Sequence, residues 1–116
     1  MLSLPPTVRV FIIVEPVNMH GSFDSLAGVV RRLGLDPVDG HFYVMLSKRR
    51  HIAKVLWFDG SGWRILAKRL EKGTFEIPEV SDGARQIAVD HATLAALLDG
   101  IDLRAERRHW FQRSTG

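Results

Sequence analysis

The chain has 116 residues, no cysteine and a formal net charge of +3, with 46% hydrophobic and 25% charged residues, which is the size and make-up of one globular domain. The absence of cysteine excludes disulfides, thiolate nucleophiles and cysteine-ligated metals. No apolar run approaches the roughly 20 residues of a membrane helix, and Met1 to Pro6 lacks the basic flank of a signal peptide, so a cytoplasmic protein without membrane contact is expected. Twelve arginines against four lysines and a pI near 9.8 favour acidic partners, nucleic acid first, because the guanidinium fork suits phosphate and guanine. The plainer alternative is that mild basicity keeps the surface soluble.

After Pro5-Pro6, Thr7 to Val14 reads as a buried strand, apolar on nearly both faces and ended by Glu15-Pro16. Asn18-Met19-His20-Gly21 is a loop. Ser22 can cap a helix whose apolar positions Leu26, Val29, Val30 and Leu33 recur at helical spacing, with Gly34 past its end. Arg31 and Arg32 in its last turn complement the helix dipole or contact DNA. A turn-rich link, Leu35 to Gly40, leads into three strand-sized apolar segments: His41 to Leu46, Ile52 to Phe58 and Trp63 to Lys68. They predict a three-stranded antiparallel meander with a basic tip at Lys48-Arg49-Arg50-His51 and a tight Asp59-Gly60-Ser61-Gly62 turn.

If Ser47 opposes Ile52 and Phe58 opposes Trp63, one sheet face carries Phe42, Val44, Leu46, Ala53, Val55, Trp57, Arg64, Leu66 and Lys68 and makes the better core. The other mixes Tyr43, Met45, Leu56, Phe58, Trp63 and Ile65 with Lys54 and Arg69, a composition that suits either a stacking, phosphate-binding surface or a face covered in part by a helix. Beyond it, Thr74 to Pro78 is expected as a short edge strand, Glu79 to Gln86 as a loop, and Ile87 to Val89 as another short strand. Asp90 should cap a helix over His91 to Leu98, with Leu94, Leu97 and Leu98 on one side and Gly100 after it. The expected fold is therefore α+β, an antiparallel sheet built on the meander with two main helices. The domain spans residues 1–102, and residues 103–116 form a basic aromatic tail whose Trp110 and Phe111 dock on the domain, bind a partner, or order on nucleic acid.

Catalytic patterns are missing. Asp36, Asp39, Asp59, Asp82, Asp90 and Asp99 fall at turns and caps, the five histidines lack metal-ligand spacing, and no nucleophile elbow or phosphate-binding glycine loop is present. No catalytic residue, metal or cofactor is expected. The positive signal is the set Lys48, Arg49, Arg50, Lys54, Arg64, Lys68, Arg69 and Lys72, interleaved with Tyr43, Trp57 and Trp63. Cations on a hairpin tip and sheet can follow a phosphate backbone and aromatics can stack on bases; charge at a tip also discourages edge-to-edge aggregation.

The order Leu35-Asp36-Pro37, Gly40-His41-Phe42, Lys48-Arg49-Arg50, Lys54-Val55-Leu56-Trp57-Phe58-Asp59-Gly60-Ser61-Gly62, Lys68-Arg69-Leu70-Glu71-Lys72-Gly73-Thr74-Phe75 and Leu97-Leu98-Asp99-Gly100-Ile101 resembles the TnpB-type accessory protein of the insertion-sequence-66 family of bacterial transposable elements. The likeness runs from about Val8 to Ile101. Where the family usually carries Asp-Met-Arg, this chain has Asn18-Met19-His20. The resemblance implies a small protein needed beside a separate transposase for efficient transposition, and it does not imply that this chain cuts DNA. Expected partners are transposon DNA, the cognate transposase and a second copy of the chain. The basic set would contact phosphate, with Trp57 or Trp63 supporting the surface. The alternatives are a protein-interaction module without DNA contact, using the mixed sheet face or the Trp110-Phe111 tail, and a metal-dependent nuclease using Asp59 and Glu71.

Overall fold

The computed structural model describes residues 7–104; Trp110 and Phe111 lie outside the described residues. The elements run β1 (Val10–Ile13), α1 (Phe23–Arg32), β2 (Phe42–Leu46), β3 (Ile52–Phe58), β4 (Trp63–Arg69), β5 (Gln86–Val89) and α2 (His91–Leu98). They form one five-stranded sheet in the order β4-β3-β2-β1-β5. The meander holds in the expected register, with Leu46 opposite Ala53 and Phe58 opposite Trp63. The sheet is not purely antiparallel, however. β1 runs parallel to β2, pairing Val10 with Phe42 and Ile12 with Val44, while β5 closes antiparallel on its other side. The reason is topological: a parallel neighbour needs a crossover, and α1 between β1 and β2 supplies it.

The register sorts side chains into two cores. On one face Val10, Ile12, Phe42, Val44, Leu46, Ala53 and Val55 are buried under Phe75, Ile77, Leu94 and Leu97. On the other, Ile13, Tyr43, Met45 and Leu56 are buried under Leu26, Ala27, Val29 and Val30 of α1. The mixed face is thus the helix-covered one. β2, at the centre, is buried at all five positions. The helices start differently. Asp90 caps α2 by accepting the Thr93 N–H at 2.7 Å, whereas Ser22 occupies the N-cap of α1 without a side-chain cap bond.

Thr74 to Pro78 is not a strand. Its alternation of Phe75 and Ile77 imitates one, but the segment lies across a sheet face as an extended cover, where both side chains point into the core. Its main chain meets the sheet through the Phe75 N–H, which donates to Arg50 O at 2.6 Å, and Pro78 has no N–H to extend a ladder. Leu103, which sequence assigns to the tail, packs against the same core, and Arg104 pairs with Glu76 at 3.2 Å.

Phe75 is fully buried, so Phe75→Ala should lower the unfolding free energy by about 3–5 kcal/mol in urea denaturation. A loss below about 1 kcal/mol would show that this segment is not part of the core.

Candidate nucleic-acid interface

The tip between β2 and β3 is a tight, internally bonded turn. Ser47 N–H donates to Ile52 O at 3.0 Å and Arg50 N–H to Ser47 O at 2.8 Å, while Ile52 N–H donates to Ser47 Oγ at 3.1 Å. Lys48 and Arg49 at the apex are exposed. Arg50 has φ of 57°, in the left-handed region where a Cβ costs roughly 1–2 kcal/mol; among the described residues it alone does so without being glycine.

That tip is tied to the end of β4. Leu70 N–H donates to His51 O at 2.8 Å and Phe75 N–H to Arg50 O, and Arg69 stands opposite Ile52 and Lys68 opposite Ala53. Lys48, Arg49, Arg50, Lys68, Arg69 and Lys72 therefore gather at one end of the sheet. Glu71 lies among them, 3.6 Å from Arg69 with both side chains largely exposed, a hydrated pair that neutralises little. Val14 N–H donates to Arg85 O at 2.9 Å, so exposed Arg85 stands at the same end across the sheet, as does Glu15. Sequence reasoning did not single out Arg85, because its position depends on the β1–β5 pairing, which leaves no mark in composition. His51 beneath the tip has a buried Nδ1 without a hydrogen-bond partner.

The other predicted residues are placed elsewhere. Lys54 donates to Met19 O at 2.6 Å and to Gly21 O at 3.1 Å, holding the loop before α1. Because it uses main-chain carbonyls, this contact does not depend on the side chains of Asn18 and His20. A cleft of about 230 Å³ lies at that loop, lined by Glu15, Asn18, Ser25 and Arg32 among others.

Arg64 lies opposite Trp57 at the far end of β3, about 20 Å from the tip at strand rise. Its Nε is 2.7 Å from Asp59 Oδ2. Asp59 also accepts the Ser61 and Gly62 N–H groups, both at 3.0 Å. The Arg64 guanidinium first, then these amides, hold the Asp59 carboxyl well below the usual carboxylate range.

The aromatics are packed into the fold. Tyr43 is fully buried, stacked on Phe11 at 5.6 Å, and donates its hydroxyl to Asp39 Oδ2 at 2.6 Å; burial, followed by that carboxylate, pushes its pKa up. Trp57 stacks on Phe42 at 4.5 Å, and Trp63 meets Phe58 edge-on at 5.1 Å. Both indoles sit beside the Asp59 turn, remote from the cationic end, so the expected interleaving of cations and stacking rings is not what the fold builds. Asp59 and Glu71 flank β4 at opposite ends, far beyond the roughly 4 Å separation of a two-metal centre, which removes the nuclease pairing.

Among the described residues no helix is long and apolar enough to cross a membrane. The family model described as "IS66 Orf2 like protein" matches residues 8–108. Two relatives come from Sinorhizobium fredii (strain NBRC 101917 / NGR234): "uncharacterized protein y4hO", 38% identical over the whole of both chains, and "uncharacterized protein y4jC", 30% identical over 93% of this chain and 92% of that one. No solved structure matches.

Two outcomes follow from the geometry. Arg50→Gly should raise stability by up to about 1 kcal/mol in thermal or urea unfolding, since glycine relieves the left-handed strain and loses part of that gain in unfolded-chain entropy; a clear loss would contradict the strain. Asp59, with its folded pKa depressed, contributes stability that is complete above its unfolded value and is lost as pH falls through the folded one. Amide exchange at Ser61 and Gly62 should accelerate selectively in acid, and Asp59→Asn should flatten that dependence.

Proposed function

The chain belongs to the IS66 Orf2-like family, a transposition-associated family, and from that premise we propose that it is a non-catalytic accessory factor, cytoplasmic, that grips transposon DNA through the basic end of its sheet and acts beside the cognate transposase. The observation that carries this reading is the convergence, by strand register, of Lys48, Arg49, Arg50, Lys68, Arg69 and Lys72 on one end. Beside these six cations stands the hydrated acid Glu71, with Glu15 at the same end across the sheet. Arg50 keeps its charge at a backbone position where glycine would be less strained.

The chemistry is that of phosphate neutralisation. Cations on flexible stems around a rigid turn displace condensed counterions from the duplex and fix a register along it, and they carry no sequence information by themselves. With the tryptophans engaged in packing, base stacking is not part of the interface; selectivity for an element end then has to come from DNA shape or from the transposase. Arg64 and Lys54, each occupied within the fold, are left out of the contact set.

The test is an anisotropy or mobility-shift titration with element-end DNA over a range of salt, with and without the transposase. Affinity should fall steeply with salt. Replacing Arg49 and Arg50 together by glutamine should make the logarithmic salt slope shallower by about 2, at roughly 0.9 per phosphate contact, and Arg50→Gly should weaken binding while leaving the fold intact. An unchanged slope in the double variant would remove the tip from the interface.

A further inference from the structure

β4 is an edge strand, hydrogen-bonded to β3 and, among the described residues, to nothing on its other side. Its ladder is fixed at both ends: Asp59 N–H donates to Gly62 O at 2.9 Å and Leu70 N–H to His51 O at 2.8 Å. By antiparallel alternation, Arg64, Leu66 and Lys68 turn their backbone groups toward β3, and Trp63, Ile65, Ala67 and Arg69 turn theirs outward. Seven residues long, this edge presents four outward N–H and C=O pairs. Its exposed side chains include Leu66, 37% exposed, with Lys68 two positions on along the same face, and Ala67 and Arg69 on the other. Arg64 is occupied by Asp59.

We propose that β4 is a docking edge for an extended acidic segment of a partner protein, which adds as a sixth, antiparallel strand. Main-chain bonds to the outward groups supply affinity, and alternate side chains supply selectivity. The matching pattern has an apolar residue opposite Leu66 and a carboxylate two residues away, opposite Lys68, with a further acid reaching Arg69. Charge decides the occupant. The tail of this chain carries Arg107, Arg108 and Arg113 against one glutamate, Glu106, and is the wrong sign for this edge. A second copy, paired over the full seven residues about Leu66, sets Arg64 opposite Lys68 twice, and like charges directly opposite are destabilising. This docking shares Lys68 and Arg69 with the DNA reading, whose other four cations, Lys48, Arg49, Arg50 and Lys72, lie off the β4 edge.

The probe is a blocked nine-residue threonine-based peptide with adjacent glutamates set opposite Lys68 and Arg69 and a valine set opposite Leu66 (the glutamate–valine peptide), compared with its counterpart carrying lysine for both glutamates (the lysine–valine peptide), against the full chain. At saturating glutamate–valine peptide, amide exchange at Ile65 and Ala67 should slow at least tenfold, and the lysine–valine peptide should give no protection. Ala67→Pro removes an outward N–H and no internal ladder bond, so it should weaken the peptide at least tenfold and leave the salt slope for DNA unchanged. The charge-reversed variant K68E/R69E, which keeps every backbone group, should switch preference to the lysine–valine peptide and serves where the proline variant does not fold. R49Q/R50Q should weaken DNA binding and make its salt slope shallower while retaining the peptide. Absence of protection, equal binding of both peptides, or protection of these amides by self-association without peptide would each overturn the proposal.

Discussion

The burial of β2 on both faces is the constraint from which the rest of the structure follows. All five of its residues are inside, which requires a covering layer on each side and a hydrogen-bonded neighbour on each edge. β3 supplies one neighbour through the meander. The other has to be β1 in parallel, since the chain between them is taken up by α1, which crosses over and covers the Tyr43-Met45 face. The opposite face is left for Phe75, Ile77, Leu94 and Leu97. A central strand covered in this way leaves function to the strand ends and to the outermost edge.

What the sequence made legible and what it did not divide along that line. The meander, its register and α2 could be read because each depends on local signals: β-branched and aromatic runs, two glycines in the Asp59 turn, and an aspartate cap. The direction of β1 could not, because a fully apolar strand records that it is buried and not whom it pairs with. Thr74 to Pro78 misled for a related reason. Period-two alternation reports an extended chain with one buried side, and an extended cover lying on a sheet has the same pattern as a strand within it. The aromatics misled because Tyr43, Trp57 and Trp63 are amphipathic: packing a ring and solvating or bonding its polar atom satisfies the same composition as a stacking platform. The family was legible from its turn blocks, which are also the most locally determined part of the fold.

The two ends of the β3–β4 hairpin are built on opposite electrostatic logic. At the Asp59 end, a carboxylate collects two amides, a hydroxyl and a guanidinium, so its charges are matched within the protein. At the other end, cations accumulate around a turn held by main-chain bonds and the Ser47 hydroxyl. Such bonding can fix a turn without using its cationic side chains, which leaves Lys48 and Arg49 free for an external anion. Phe75 matters here as much as the cations do, because its N–H bond to Arg50 O joins the strained tip to the core and limits the alternative conformations open to Arg50.

The same register that collects the cations also makes the two proposed ligands interdependent. Lys68 and Arg69 lie at the cationic end and on the β4 edge at once, whereas Lys48 and Arg49 lie only at the tip. Phosphate and a row of carboxylates present similar charge to the shared pair, so an acidic strand along β4 would neutralise part of the surface proposed for DNA. Binding of the two is then antagonistic through Lys68 and Arg69 alone, and by reciprocity DNA weakens the strand by the same factor. Loss of two out of six phosphate contacts leaves the tip engaged, with weaker affinity and a shallower salt dependence. A partner carrying such a strand could therefore loosen this protein's hold on DNA without displacing it outright, a coupling that needs no conformational change because the two sites overlap at two side chains.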